Sequence, residues 1–160
     1  MRLAMILTGA LFAASLAPGL VAQDIPDFGG TWNREGPAPA QAAGAGIAGL
    51  GTTATITQTD STITLSRTSQ FGQLSSVYNL DGSSRSSTLN IGEFSVPQNS
   101  TATWADGALL LTTSMEYNGN YFEISVKLSL DAEGKLTAVV TTPGFQGGGP
   151  AQDTATYTKG

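Results

Sequence analysis

From residue 53 onward, apolar and polar residues alternate with a period of two, and short clusters of turn-forming residues interrupt the alternation. Period two marks a strand with one buried and one wet face, because successive side chains leave opposite sides of the pleat. The interruptions are Thr59-Asp60, Asp81-Gly82, Asp106-Gly107, Asn118-Gly119 and Ala132-Glu133-Gly134. Asn-Gly and Asp-Gly suit hairpin turns, whose two central residues must tolerate positive φ. These turns predict a register. A two-residue turn at Asn118-Gly119 sets Met115 opposite Phe122, Thr113 opposite Ile124, Leu111 opposite Val126 and Leu109 opposite Leu128. The other face receives Glu116 with Tyr121, Ser114 with Glu123, Thr112 with Ser125 and Leu110 with Lys127. A turn at Asp106-Gly107 sets Trp104 opposite Leu109 and Ala102 opposite Leu111. The three-residue turn at 132–134 sets Leu130 opposite Leu136, Leu128 opposite Ala138 and Val126 opposite Val140. Four consecutive strands thus share one apolar face.

Earlier in the chain, "TATITQTDSTITL" folds back so that Ile56 meets Ile63 and Ala54 meets Leu65, and Tyr78 and Leu80 extend one face. With a first strand at 30–34 and a last at 154–159, about nine strands are expected and no sustained helical period is present. The predicted fold is all-β. An antiparallel up-and-down meander of this size removes its edges most completely by closing into a barrel.

Two segments fall outside the alternation. Residues 1–22 run from a positive charge at Arg2 through an apolar stretch to Pro18-Gly19 and the small residues Val21-Ala22. That is the order of a secretory signal peptide, so the expected mature chain starts at Gln23 as a single domain, 23–160, in the periplasm or outside the cell. Residues 36–51 form an Ala/Gly/Pro-rich tract between the first two strands, too long for a hairpin and too apolar for an ordinary solvated loop. Connections of this kind tend to be covers or flexible excursions. Ile47 and Leu50 are the candidate lid residues.

The 12 acidic and 7 basic residues give a net charge of −5, and the basic ones are scattered. Without a basic stripe, nucleic acid and anionic lipid are not expected partners. The chain contains no cysteine and no histidine. Ser-His-Asp and Cys-His nucleophiles are therefore excluded and the usual zinc ligands are missing, so no metal, cofactor or catalytic residue is expected. Asp60, Asp81, Asp106, Asp131 and Glu133 lie in turns, where carboxylates support the turn and stay solvated.

Gly30-Thr31-Trp32 resembles the Gly-x-Trp signature of lipocalins. Together with "YNLDG", "TATWADGALLLT" and "LDAEGKLT" it is similar to a group of small secreted bacterial lipocalin-like proteins over most of the mature chain. The resemblance implies a β-barrel with an internal apolar ligand site. It also implies that Trp32 plugs the closed end, beneath a basic side chain from a late strand; no late Arg is present. The candidate ligand-binding residues are Trp104, Tyr78, Leu111, Met115, Phe122, Ile124 and Val126. Small residues on the same face (Ala54, Ala102, Ala138, Thr113) leave space among them. The expected function is an exported barrel that binds a small hydrophobic ligand. Its rivals are a filled barrel acting as a protein-interaction or protease-inhibitor module, and a small outer-membrane barrel, since alternation alone does not say which face meets water.

Overall fold

The computed structural model describes residues 25–37, 49–69, 72–117, 119–143 and 149–160. The expected signal peptide, Ile47 and Asn118 lie outside these residues. Ten strands are present: β1 (Gly30–Arg34), β2 (Thr53–Gln58), β3 (Thr62–Ser69), β4 (Gly72–Asn79), β5 (Arg85–Ile91), β6 (Phe94–Ala105), β7 (Ala108–Tyr117), β8 (Asn120–Leu130), β9 (Leu136–Thr142) and β10 (Ala151–Lys159). They form one antiparallel sheet in the order β4-β3-β2-β1-β10-β9-β8-β7-β6-β5. Neighbours in space are neighbours in sequence everywhere except at β1–β10, where Trp32 pairs with Lys159 and Arg34 with Tyr157. The sheet curls until its two ends, β4 and β5, lie side by side. Among the described residues no ladder joins them, so the barrel is nearly closed, with one seam.

The strand beyond the expected nine is β5. Only Leu89 is buried along it, and the other residues of "RSSTLNI" are exposed or half-exposed. A strand at the end of the sheet needs few inward apolar residues, so the alternation that reveals the others is faint here. The turn at Asp81-Gly82 is also not a hairpin turn. Asp81 accepts hydrogen bonds from the Ser83 backbone N–H (2.9 Å) and hydroxyl (2.6 Å), and the chain leaves β4 for β5 without pairing the two.

The register predicted for β6 through β9 is the one observed, from Trp104↔Leu109 and Met115↔Phe122 to Leu128↔Ala138. Its Asp-Gly turn has both central residues at positive φ, 51° at Asp106 and 73° at Gly107. At β2–β3 the pairing differs. Ile56 faces Leu65 rather than Ile63, and Ala54 faces Arg67. The bend falls at Asp60-Ser61, one residue later than Thr59-Asp60, with the Thr59 N–H donating to the Thr62 carbonyl at 2.9 Å. Moving the bend by one residue shifts each cross-strand partner by two, which leaves every side chain on its original face.

That face is the inside. Ile56, Ile63, Leu65, Leu109, Leu111, Val126, Leu128, Leu136 and Ala138 form one buried core. Outward positions carry Thr55, Thr57, Thr103, Glu123 and Lys127, all exposed. One end of the barrel is sealed by the segment before β1. The Phe28 backbone N–H donates to Gln58 Oε1 (3.0 Å), Gln58 Nε2 donates to the Pro26 carbonyl (3.1 Å), and the Phe28 ring stacks on Trp104 at 6.0 Å. Trp32 is 1 % exposed and donates its indole N–H to the Phe28 carbonyl at 2.8 Å. Lys159, at the end of β10, places Nζ 5.6 Å from the Trp32 ring centre, within cation–π range. The basic side chain over Trp32 is thus a lysine of the last strand. Gly30 makes room for it: its φ is +139°, and a Cβ there would lie 2.5 Å from Lys159 Cε.

Candidate functional site

Strict alternation carries several polar side chains inward on the strands around the seam. On β3 the inward series is Ile63, Leu65, Arg67. On β4 it is Leu74, Ser76, Tyr78; on β6 Val96, Gln98, Ser100, Ala102; on β7 Leu109, Leu111, Thr113. All are buried. Arg67, Ser76, Gln98, Ser100, Tyr78 and Thr113 therefore sit inside a barrel whose remaining inward residues are mostly apolar.

All of these but Ser100 line a cavity of about 20 Å³. Leu65 and Arg67 of β3, Ser76 and Tyr78 of β4, Leu89 of β5, Gln98 of β6, Thr113 and Met115 of β7, and Ile124 and Val126 of β8 line it. Six consecutive strands contribute, and β4 and β5 are the two that flank the seam. Space of that size takes one or two ordered waters. Tyr78 and Thr113 satisfy each other across the interior, hydroxyl to hydroxyl at 2.9 Å. Gln98 Nε2 donates to the Ser87 hydroxyl at 3.0 Å, while Gln98 Oε1 and Ser100 Oγ are buried without a hydrogen-bond partner among the described residues. Burial pushes the Arg67 guanidinium below its ordinary pKa, with the Tyr78 phenol acting in the opposite direction. A guanidinium titrates so high that it stays charged at neutral pH, and the site holds a cation. No carboxylate is among the lining residues.

Of the residues expected to bind a ligand, Tyr78, Met115, Ile124 and Val126 come together on this cavity. Leu111 is buried in the core without lining it, and Phe122 is half-buried at the far end of the β7–β8 pair. Trp104 belongs to the sealed end, stacked on Phe28. Leu50, expected in the lid, is fully buried in the main core, and the Tyr157 hydroxyl donates to the neighbouring Gly51 carbonyl at 3.0 Å. Trp32 occupies the sealed end. Arg67, Ser76 and Gln98 are site residues that the sequence does not single out, although their alternation is readable: each lies two residues from a buried leucine or valine on its own strand.

Several other charged groups have structural work. Arg34 and Asp153 form a two-pronged pair (3.1 and 3.3 Å) across β1 and β10, and Lys135 meets Glu35 at 2.8 Å. Asp131 Oδ1 accepts backbone N–H bonds from Glu133 and Lys135, fixing the β8–β9 turn. Among the described residues no three His, Cys, Asp or Glu side chains gather as metal ligands would. No protein-family model and no curated protein matches the chain.

Proposed function

We propose that this chain is an exported barrel that binds a small hydrophobic molecule in its interior, at the cavity beneath the β4–β5 seam. The observation that carries the reading is a buried guanidinium and amide set, with the hydroxyls of Ser76, Tyr78 and Thr113, among the apolar side chains of one interior cavity. Interior ions are stabilising only when geometry and hydrogen bonding are very good, and apolar residues of equal volume often serve the fold as well or better. Apolar side chains are the simpler way to fill a barrel than Arg67 and Gln98. A ligand site has a use for both. Entry at the seam requires side-chain movement but no broken ladder, and Met115, with three rotatable bonds, is the adaptable wall. The outward Thr, Lys and Glu residues support an aqueous surroundings and argue against the outer-membrane reading, in which an apolar band faces lipid. The charged and apolar order of residues 1–22 supports export.

The size of the cavity favours a second reading, a filled barrel whose surface makes the contacts. A neutral solvatochromic dye separates the two. The first reading expects saturable one-to-one binding, competed by aliphatic molecules and weakened by Val126→Phe, which fills the cavity. Absence of saturable binding, or binding indifferent to Val126→Phe in a variant that still folds, leaves the filled barrel.

A further inference from the structure

We infer that the cavity beneath the β4–β5 seam is a chloride site, in which one monatomic anion offsets the charge of Arg67. The inference goes beyond the reading of the barrel as a binder of hydrophobic molecules. It holds for a filled barrel as well, and an apolar guest entering at the seam would displace the ion.

Charge balance comes first. Arg67 is 8 % exposed, on the inward face of β3 opposite Leu74 of β4. A charge taken out of water is costly unless one of opposite sign meets it. The strands β2 to β6 contain no Asp or Glu. Glu116 of β7 and Glu123 of β8 are exposed, and Asp153 of β10 is committed to Arg34. Hydrogen bonds that the guanidinium makes leave its positive charge in place. Among the described residues the wall around Arg67 therefore holds a cation and no anion.

Size and donors then select the ion. A cavity of about 20 Å³ takes one or two waters, and chloride is little larger than a water molecule. Anions with several heavy atoms do not fit. The Ser76 hydroxyl lines the space. Tyr78 and Thr113 share one hydrogen between oxygens 2.9 Å apart, which leaves the second hydroxyl hydrogen to be donated elsewhere. Gln98 contributes through its amide. One end is held by Ser87, and the other is buried with no partner among the described residues. The Ser87 hydroxyl can donate as well as accept, so an amide turned end for end keeps that bond through its oxygen and presents its NH2 to the cavity. Leu65, Met115 and Val126 close the other sides with hydrocarbon, which strengthens the attraction between ion and guanidinium. A water would satisfy the amide but leave the charge unmet. At a net −5 the chain's long-range field disfavours anions, so a preference for halide has to arise at such a local site.

The test is thermal unfolding of the purified secreted protein at neutral pH, with sodium gluconate replaced stepwise by chloride, bromide or sulfate. Ionic strength is held at about 0.2 M, so that surface charges are screened equally throughout. Chloride and bromide should raise Tm saturably, by roughly 3–6 °C at ten times the dissociation constant, and sulfate should give no saturable rise. Arg67→Met, which removes the cation, and Val126→Phe, which fills the cavity, should each abolish the halide effect, and Arg67→Lys should keep part of it. Crystals grown in bromide should show an anomalous peak between Arg67, Ser76 and Gln98. If Arg67→Met fails to fold, the anion series and the bromide peak on the unmodified chain still decide. The absence of a saturable halide effect overturns the inference and leaves the cavity to water. A sulfate effect equal to that of chloride, a halide effect that survives either Arg67→Met or Val126→Phe, or a bromide peak only at the surface places the anion outside and overturns it too. Failure of the dye to bind removes the hydrophobic-ligand reading alone, because the halide series reads a different occupant.

Discussion

Leu109 and Leu110 are adjacent on β7 and chemically identical, which makes them a direct test of the barrel's inside and outside. Leu109 is 0 % exposed and lies opposite Trp104 on β6 and Leu128 on β8. Leu110 is 38 % exposed and lies opposite Thr103 and Lys127. Leu109→Ala removes buried carbon and leaves a hole that strands pinned by ladders on both sides cannot close. A loss of about 3–4 kcal/mol is expected, in the middle of the range for buried leucines. Leu110→Ala removes a side chain already in partial contact with water, and the loss should stay below about 1 kcal/mol. Equilibrium urea unfolding resolves the difference. With a slope of about 2 kcal/mol per molar, the midpoint falls by roughly 1.5–2 M for Leu109→Ala and by under about 0.5 M for Leu110→Ala, with the slope unchanged. A register slipped by one residue would exchange the two side chains. Equal losses, or a larger loss at Leu110, refute the inward face described above.

Phe28→Ala and Trp104→Ala should each destabilise the sealed end, and the double mutant should show a coupling of about 0.5–1.5 kcal/mol in unfolding experiments; strict additivity would mean that the stack contributes nothing beyond area. Burial raises the Tyr157 phenol above its ordinary pKa, with Arg34 opposing, so the folded state favours the neutral form. Its contribution is full below the unfolded-state pKa near 10.0 and is lost as pH rises through the folded value; Tyr157→Phe should flatten that part of the alkaline stability profile. Intact-mass analysis of protein secreted by an expressing host should show a chain beginning at Gln23, and a mass retaining residues 1–16 would refute export with cleavage.

The β6–β9 register was readable because Asp-Gly, Asn-Gly and the three-residue Gly134 turn fix loop length, and loop length fixes pairing. Thr59-Asp60-Ser61-Thr62 has no glycine to mark its centre, so the pattern leaves the bend uncertain by one residue. β5 is not legible in the alternation because a strand that buries little shows little pattern. Arg67 and Gln98 illustrate a different limit. Alternation puts both on the inward face, but a lone polar residue in such a series reads equally as a strand end turning toward solvent. Only the curl of the sheet, which brings β3, β4 and β6 together around one space, shows that they share it. Trp104 is the converse case. Its register was correct, yet the segment before β1 that seals that end has no periodicity to announce it, and its Phe28 is what holds Trp104 at the closed end.

The join between β1 and β10 also sets the order in which this molecule can assemble. Trp32 waits for Lys159, and Arg34 for Asp153 and Tyr157, all on β10, more than a hundred residues later. Until the nine residues of β10 are available, β1–β4 and β5–β9 are two separate runs of strands, each quick to form locally, with their apolar sides open. Closure then depends on one contact of maximal sequence separation, the kind that places folding in the millisecond-to-second range and leaves unclosed chains prone to associate. Loss of β10 should therefore do more than shorten the sheet. It removes the strand between the two halves, and a chain emerging from its N-terminus stays unassembled until β10 arrives.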